Sequence, residues 1–187
     1  MSKWNTTKLV ALASLVVLAF IVSLVGNFLV VITGIPGAGG FISPFFVMIV
    51  VIFALLVIRK FWTATIATII YSILALPTPI FGPPGFLPKI LIIVALGIWI
   101  DMVYFLFKKN DRLASVMTGI LSALVVSLLL MSIGLLFNMP GIDKFINILL
   151  TPFFIVLTAM MGAAGGYIGY LTYKKLKNTS VIRRIQA

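Results

Sequence analysis

Long apolar stretches, separated by short basic or Gly/Pro-rich segments, fill the chain from end to end. Because the hydrocarbon core of a bilayer is about 30 Å thick, a helix that crosses it needs about 20 apolar residues. Measured against that length, the pattern predicts six membrane-spanning helices, at Lys8–Gly34, Phe41–Ile58, Phe61–Leu76, Pro88–Phe107, Leu113–Phe137 and Phe145–Tyr173. These spans occupy most of the 187 residues. We therefore expect an all-α membrane protein with one transmembrane domain, Met1–Ala187, and no soluble domain.

Two of the spans need a further argument. Only Arg59 and Lys60 separate the second span from the third. A single continuous helix would place both cations at the centre of the bilayer, which is costly, so two shorter helices are favoured. The first apolar stretch is much longer than the ~7–15 apolar residues of a signal peptide. We predict that it is retained as a span.

Composition agrees with a membrane location, because 63% of the residues are hydrophobic and only 9% are charged. The formal net charge of +11 comes from 14 Lys and Arg against three acids. If the N-terminus lies inside, all but two of these cations fall on the cytoplasmic side, and only Lys89 and Lys144 lie outside. This asymmetry follows the positive-inside rule and places both termini in the cytoplasm. The charge is then a topology signal, and we expect no nucleic-acid partner.

Residue types that carry most enzyme chemistry are missing from the chain. It contains no His, no Cys and no Glu, and its three Asp are scattered. Without His or Cys the commonest metal ligands are absent, and we predict neither a metal site nor a cofactor. No G-x-x-x-x-G-K-[ST] segment is present to hold nucleotide phosphates. The sequence therefore favours a protein that is not an enzyme and does not itself hydrolyse ATP.

Proline and glycine mark the predicted outer half of the protein. The first outer loop, residues 34–46, and the second, residues 77–89, are apolar, aromatic and rich in both residue types. Non-helical backbone at membrane depth is tolerated only where protein buries it or where it lines a cavity. We therefore predict an outward-facing pocket capped by the first loop. The alternative is that both segments are ordinary tight turns with interfacial aromatic residues.

Candidate substrate-binding residues lie near that outer face. A ligand site needs a mostly apolar lining with a few placed donors and acceptors. Lys89 is the sharpest candidate, although a lysine there could instead extend to the lipid headgroups. Asn147 and Thr151 are spaced i, i+4 and would share one face of the sixth span, where hydrogen bonding between helices is the alternative. The remaining candidates are Asn27, Thr33, Phe41 and Ser43.

Two further features concern packing and partners. Asp101 is the only acid within an apolar run, and a membrane carboxylate indicates a function unless a cation pairs with it. Lys108, Arg59 and Lys60 are the possible cations, and the functional alternative is a contact with a partner subunit. Asp143 and Lys144 are expected to form a solvated loop pair. Small residues recur four apart in the sixth span, which predicts close helix packing either within the chain or against a second protein. These pairs are Gly162/Gly166, Gly165/Gly169 and Ala159/Ala163.

The chain resembles the substrate-binding S-component of energy-coupling factor (ECF) transporters, small six-span proteins that bring vitamins into prokaryotic cells. The resemblance extends over nearly the whole chain. It rests on size, six spans with both ends inside and a basic C-terminus. Two loop segments also carry it, the end of the first outer loop, Phe41–Phe45, and the second outer loop at Leu76–Gly85.

The resemblance implies partners and a location. It implies capture of a vitamin-like molecule under the first outer loop, with a transmembrane coupling subunit and two cytoplasmic ATPase subunits, in the plasma membrane of a prokaryote. Family members often dock the coupling subunit through an Ala-x-x-x-Ala contact on the first helix. Here Leu15 stands four residues after Ala11, so Ala11 and Ser14 are the remaining candidates for a small docking face. Nickel and cobalt carriers of the family use an N-terminal His, which this chain lacks.

We therefore expect a membrane-embedded vitamin-binding subunit of an ECF importer. The alternative function is an accessory or structural membrane protein without a small-molecule ligand.

Overall fold

A computed structural model describes residues 4–33, 38–81, 83–139, 142, 146–147 and 150–186. These residues form helices and connecting turns, with no strand among them, so the all-α prediction is confirmed for the described chain. The helices that the structure defines are α1 Thr6–Thr33, α2 Ala38–Ile58, α3 Thr63–Ala75, α4 Lys89–Leu106, α5 Asp111–Leu136, α6 Pro152–Leu176 and α7 Ser180–Gln186.

Burial in the helix bundle is inverted relative to a soluble protein. Large apolar side chains face outwards, and Leu106 and Phe153 are each 76% exposed. Small hydroxyl side chains are buried instead, among them Thr63 and Ser115, each with 0% exposure. Soluble domains place such residues the other way round. Four helices, α1, α4, α5 and α6, are long and apolar enough to cross a membrane. The chain is therefore a membrane protein.

Helix α3 is shorter than α1, α2, α4, α5 and α6. It has 13 residues, which gives a length of about 20 Å at 1.5 Å per residue. The helix cannot cross the hydrocarbon core alone. It is separated from α2 by Arg59–Trp62, and both Arg59 and Trp62 have positive φ angles. The two helices are thus distinct, with the break at the predicted basic pair.

Two predicted helix starts differ from the structure by three residues or more. Helix α2 already begins at Ala38, so the segment from Phe41 onwards is helical rather than loop. Helix α6 begins at Pro152 rather than at Phe145, because the preceding residue, Thr151, is extended with φ −69° and ψ 132°. A residue before proline avoids the helical region, and proline itself suits the first position of a helix.

The glycines of helix α6 contact two different neighbours. Gly162 lies against α5, where a Cβ added to it would come within 2.7 Å of the Ala123 Cβ. Gly169 lies against α2, where an added Cβ would be 2.8 Å from the Ile49 carbonyl oxygen. Glycine is required at such close approaches of two helices. Both packing contacts therefore lie within the chain, which was the first of the two alternatives for the small residues of the sixth span.

Arg59, Lys60 and other cations lie at one end of the bundle, which we call the basic end. Arg59, after α2, forms an ion pair of 2.6 Å with Asp111 at the start of α5. The Arg59 guanidinium also lies 5.7 Å from the ring centroid of Tyr173, near the end of α6. Lys60 stacks over Trp4, just before α1, at 5.1 Å. These contacts place the start of α1 and the ends of α2 and α6 on the same side.

We predict that Gly162→Val lowers the thermal stability of the purified protein, because the branched side chain has no room between α5 and α6. Overpacking of this kind costs about 1–3 kcal/mol. The melting temperature in detergent measures the loss. Ala164→Val is the matched control, since Ala164 is exposed two residues further along the same helix. Equal melting temperatures for the two variants would contradict the α5–α6 contact.

Candidate functional site

Asp101 on α4 caps the N-terminus of α3. Its carboxylate accepts hydrogen bonds from the backbone N–H of Ala64 at 3.1 Å and of Thr65 at 2.8 Å. The hydroxyl of Thr65 donates a third bond at 2.7 Å. The first N–H groups of a helix have no partner within that helix, and a negative charge there also meets the positive end of the helix dipole. Asp101 thereby supplies the cap that Trp62, in the N-cap position, does not.

This arrangement corrects the interpretation of Asp101. The carboxylate was expected to pair with Lys108, Arg59 or Lys60, but its oxygens are occupied by donors of α3, and Arg59 pairs with Asp111 instead. Asp101 is also 0% exposed, so it offers no surface for docking a partner. One turn earlier on α4, Gly97 lets α3 approach, since an added Cβ would lie 3.0 Å from the Thr65 Cα. Gly97 and Asp101 together fix α3 on α4.

We predict that Asp101→Leu destabilises the protein by about 3 kcal/mol, because it leaves two buried N–H groups without acceptors. Asp101→Asn retains one side-chain oxygen and is expected to lose less. The control is Asp111→Asn, which breaks a partly exposed ion pair that contributes less than about 1 kcal/mol. Melting temperatures in detergent compare the three variants. If Asp111→Asn were as destabilising as Asp101→Leu, the capping role would be refuted.

Lys89, the first residue of α4, is buried within the loop that precedes it. Its ammonium donates to the carbonyl oxygens of Thr78 at 2.8 Å and of Pro83 at 3.3 Å. The backbone adds a further closing bond, from Gly85 N–H to the Leu76 carbonyl at 2.9 Å. Lys89 has 0% exposure. In this structure it neither faces an open pocket nor extends to headgroups, and it instead anchors the loop over residues 76–88.

We predict that Lys89→Met loosens this loop, because the Thr78 and Pro83 carbonyls lose their charged donor. The expected result is faster amide hydrogen exchange over residues 76–88, measured by mass spectrometry, with a lower melting temperature. Lys109→Met serves as control, since Lys109 is exposed in the turn between α4 and α5. Unchanged exchange in the Lys89 variant would show that the loop does not depend on the ammonium.

The other predicted substrate-binding residues are distributed differently. Asn147 and Thr151 are exposed on the chain that leads into α6, and the extended backbone of Thr151 means that they do not share a helix face there. The predicted shared helix face of Asn147 and Thr151 is therefore wrong. The side chains of Asn27, Thr33, Phe41 and Ser43 lie outside the described part of the structure, as do Asp143 and Lys144.

A groove of about 440 Å³ lies towards the basic end, between α1, α2 and α7. Its walls include residue pairs from each helix: Ala11 and Ser14, Phe53 and Val57, and Ile182 and Ile185. The Ser14 hydroxyl donates to the Val10 carbonyl at 2.9 Å, and that of Thr179 to the Leu176 carbonyl at 2.7 Å. The polar atoms on its edge are thus already bonded within their own chain segments. The groove offers an almost purely apolar surface.

Helix α7, which closes this groove, was not predicted from the sequence. Gln186 fastens it to the bundle, since its side-chain amide donates to the Val57 carbonyl at 3.2 Å and to the Tyr173 hydroxyl at 3.4 Å. The Val57 carbonyl belongs to the last turn of α2, where helix carbonyls lack internal partners. The spacing of Val181, Ile182 and Ile185 is the signal that could have revealed an apolar helix face here.

Like charges also lie close together at the basic end. The ammonium of Lys60 is enclosed and has no hydrogen-bond partner among the described residues. Burial, together with the positive charge of Lys8, lowers the pKa of Lys60. This end of the protein therefore carries more positive charge than its own acids balance.

Comparison of the chain with protein-family models, with curated proteins and with solved structures finds no match. The function is therefore inferred from the residues and their geometry.

Proposed function

We propose that the protein is the substrate-binding S-component of an ECF-type importer in the plasma membrane of a prokaryote. It would capture a vitamin or vitamin precursor from outside the cell. A transmembrane coupling subunit and two cytoplasmic ATPase subunits would supply the energy for uptake. In this proposal the chain has six spans, both termini lie in the cytoplasm, and the subunit performs no chemistry of its own.

The observation that carries the proposal is the short helix α3 and the anchored loop that follows it. Because α3 is about 20 Å long, the chain leaves helical structure before the far side of a ~30 Å core. The following loop is held by the fully buried Lys89. Non-helical backbone at such depth is found where protein buries it or where it lines a cavity. In this proposal the outer side of the anchored loop lines the ligand cavity.

The orientation follows from charge. The basic end holds Arg59 and Lys60, whereas the loop end of α4 holds the buried Lys89 as its cation among the described residues. The positive-inside rule then places the basic end in the cytoplasm and the loop at the outer face. A site beside the loop would receive its ligand from outside, as an importer requires. On the cytoplasmic side, Ala11 and Ser14 on the groove wall remain the proposed docking face for the coupling subunit.

We predict that one member of a panel of B-vitamins and their precursors raises the melting temperature of the purified protein. A ligand at 1,000 times its dissociation constant stabilises the folded state by about 4 kcal/mol. Scanning fluorimetry in detergent measures the shift, and amino acids and nucleosides tested at equal concentration provide the control.

A hit should then bind with a defined stoichiometry in isothermal titration calorimetry. If no vitamin or precursor changes the melting temperature, the S-component proposal loses its support. The alternative, an accessory membrane protein without a small ligand, would then be favoured. Copurification of a membrane subunit with an ATPase pair would argue against that alternative.

A further inference from the structure

The short helix α7 carries both apolar residues that line the groove and exposed cations. Ile182 of α7 is 4% exposed and lines the groove, whereas its neighbours Arg183 and Arg184 are exposed. The helix therefore presents an apolar face to the groove and a cationic face away from the bundle. A helix of this kind lies along a membrane surface, with its cations at the level of the headgroups.

These cations have no acidic partner within the described part of the chain. Of the three acids in the sequence, Asp101 is occupied by α3, and Asp111 is paired with Arg59. The third acid, Asp143, lies outside the described residues. Five exposed cations lie between the last turn of α6 and the end of α7: Lys174, Lys175, Lys177, Arg183 and Arg184. Positive-inside topology explains why cations are present, but not why two of them stand on the short helix whose other face lines an apolar groove.

We propose that this groove binds an anionic phospholipid, with an acyl chain between α1, α2 and α7 and the headgroup against Arg183 and Arg184. The apolar walls suit a hydrocarbon chain, because their hydroxyl groups are already bonded internally. The cations suit a phosphate, because basic clusters on amphipathic helices beside a span attract anionic lipids. The volume of about 440 Å³ lies within the range of small-molecule sites.

This site is separate from the proposed vitamin site and does not depend on it. The groove lies towards the basic end, whereas the anchored loop is at the opposite end of α4. The two sites share no residue named for either. Since Ala11 and Ser14 line the groove, a coupling subunit that docked there would take the place of the lipid.

Native mass spectrometry of the detergent-purified full chain tests the proposal, with titration by phosphatidylglycerol and by phosphatidylcholine. We expect one phosphatidylglycerol to bind in preference to phosphatidylcholine. Arg183→Gln/Arg184→Gln should weaken that binding about 30-fold, from roughly fivefold for each near-surface cation. The matched control is Lys108→Gln/Lys109→Gln, which removes the same charge from the exposed turn between α4 and α5 and should leave the affinity unchanged.

A second variant tests the apolar half of the site without changing its charge. Ser14→Phe fills the groove from the exposed face of α1, and it should reduce binding of phosphatidylglycerol at an unchanged melting temperature. Equal binding of the two lipids, or an equal loss in both charge variants, would overturn the proposal. A dimer that Ser14→Phe abolishes would overturn it as well, by assigning the groove to a second copy of the chain.

Discussion

The burial of one carboxylate determines how the first half of the bundle is assembled. Helix α3 begins inside the protein, where its first N–H groups have no water to bond, and Asp101 of α4 accepts from them. Because the cap comes from another helix, α3 depends on α4 for the partners of its first N–H groups. Gly97, one turn earlier on α4 than Asp101, lets the two backbones approach each other. The start of α3 at Thr63 follows from this contact.

The two ends of the bundle are built by different physical means. At the basic end, helix ends are joined by charge and ring contacts, such as the Arg59–Asp111 pair and the Arg59–Tyr173 contact. At the other end of α4, a buried ammonium satisfies loop carbonyls. The basic end thus includes exposed cations, such as Arg183 and Arg184, whereas Lys89 at the other end is enclosed. This difference underlies both the proposed orientation and the two proposed sites.

Helix positions were largely predictable, because the length of apolar runs and the basic breaks between them are local properties of a sequence. The partner of Asp101 was not predictable, since chain spacing pointed to Lys108, and the true donors lie 36 and 37 residues away. The place of Lys89 depends on how a loop folds back, and no periodicity encodes this. The start of α6 was signalled by Pro152, but the apolar run around it concealed the break.

The glycines of α6 have a mechanical consequence. One row of them rests on α5 and another on α2, in both cases close to the neighbouring backbone. Turning the helix by one residue position, about 100°, would press Tyr167 or Ile168 into spaces that admit only hydrogen. Helix α6 is therefore locked against rotation about its own axis. If the start of α6 at Pro152 were rotated, α2 and α5 would have to move together with the helix for Tyr173 to turn as well.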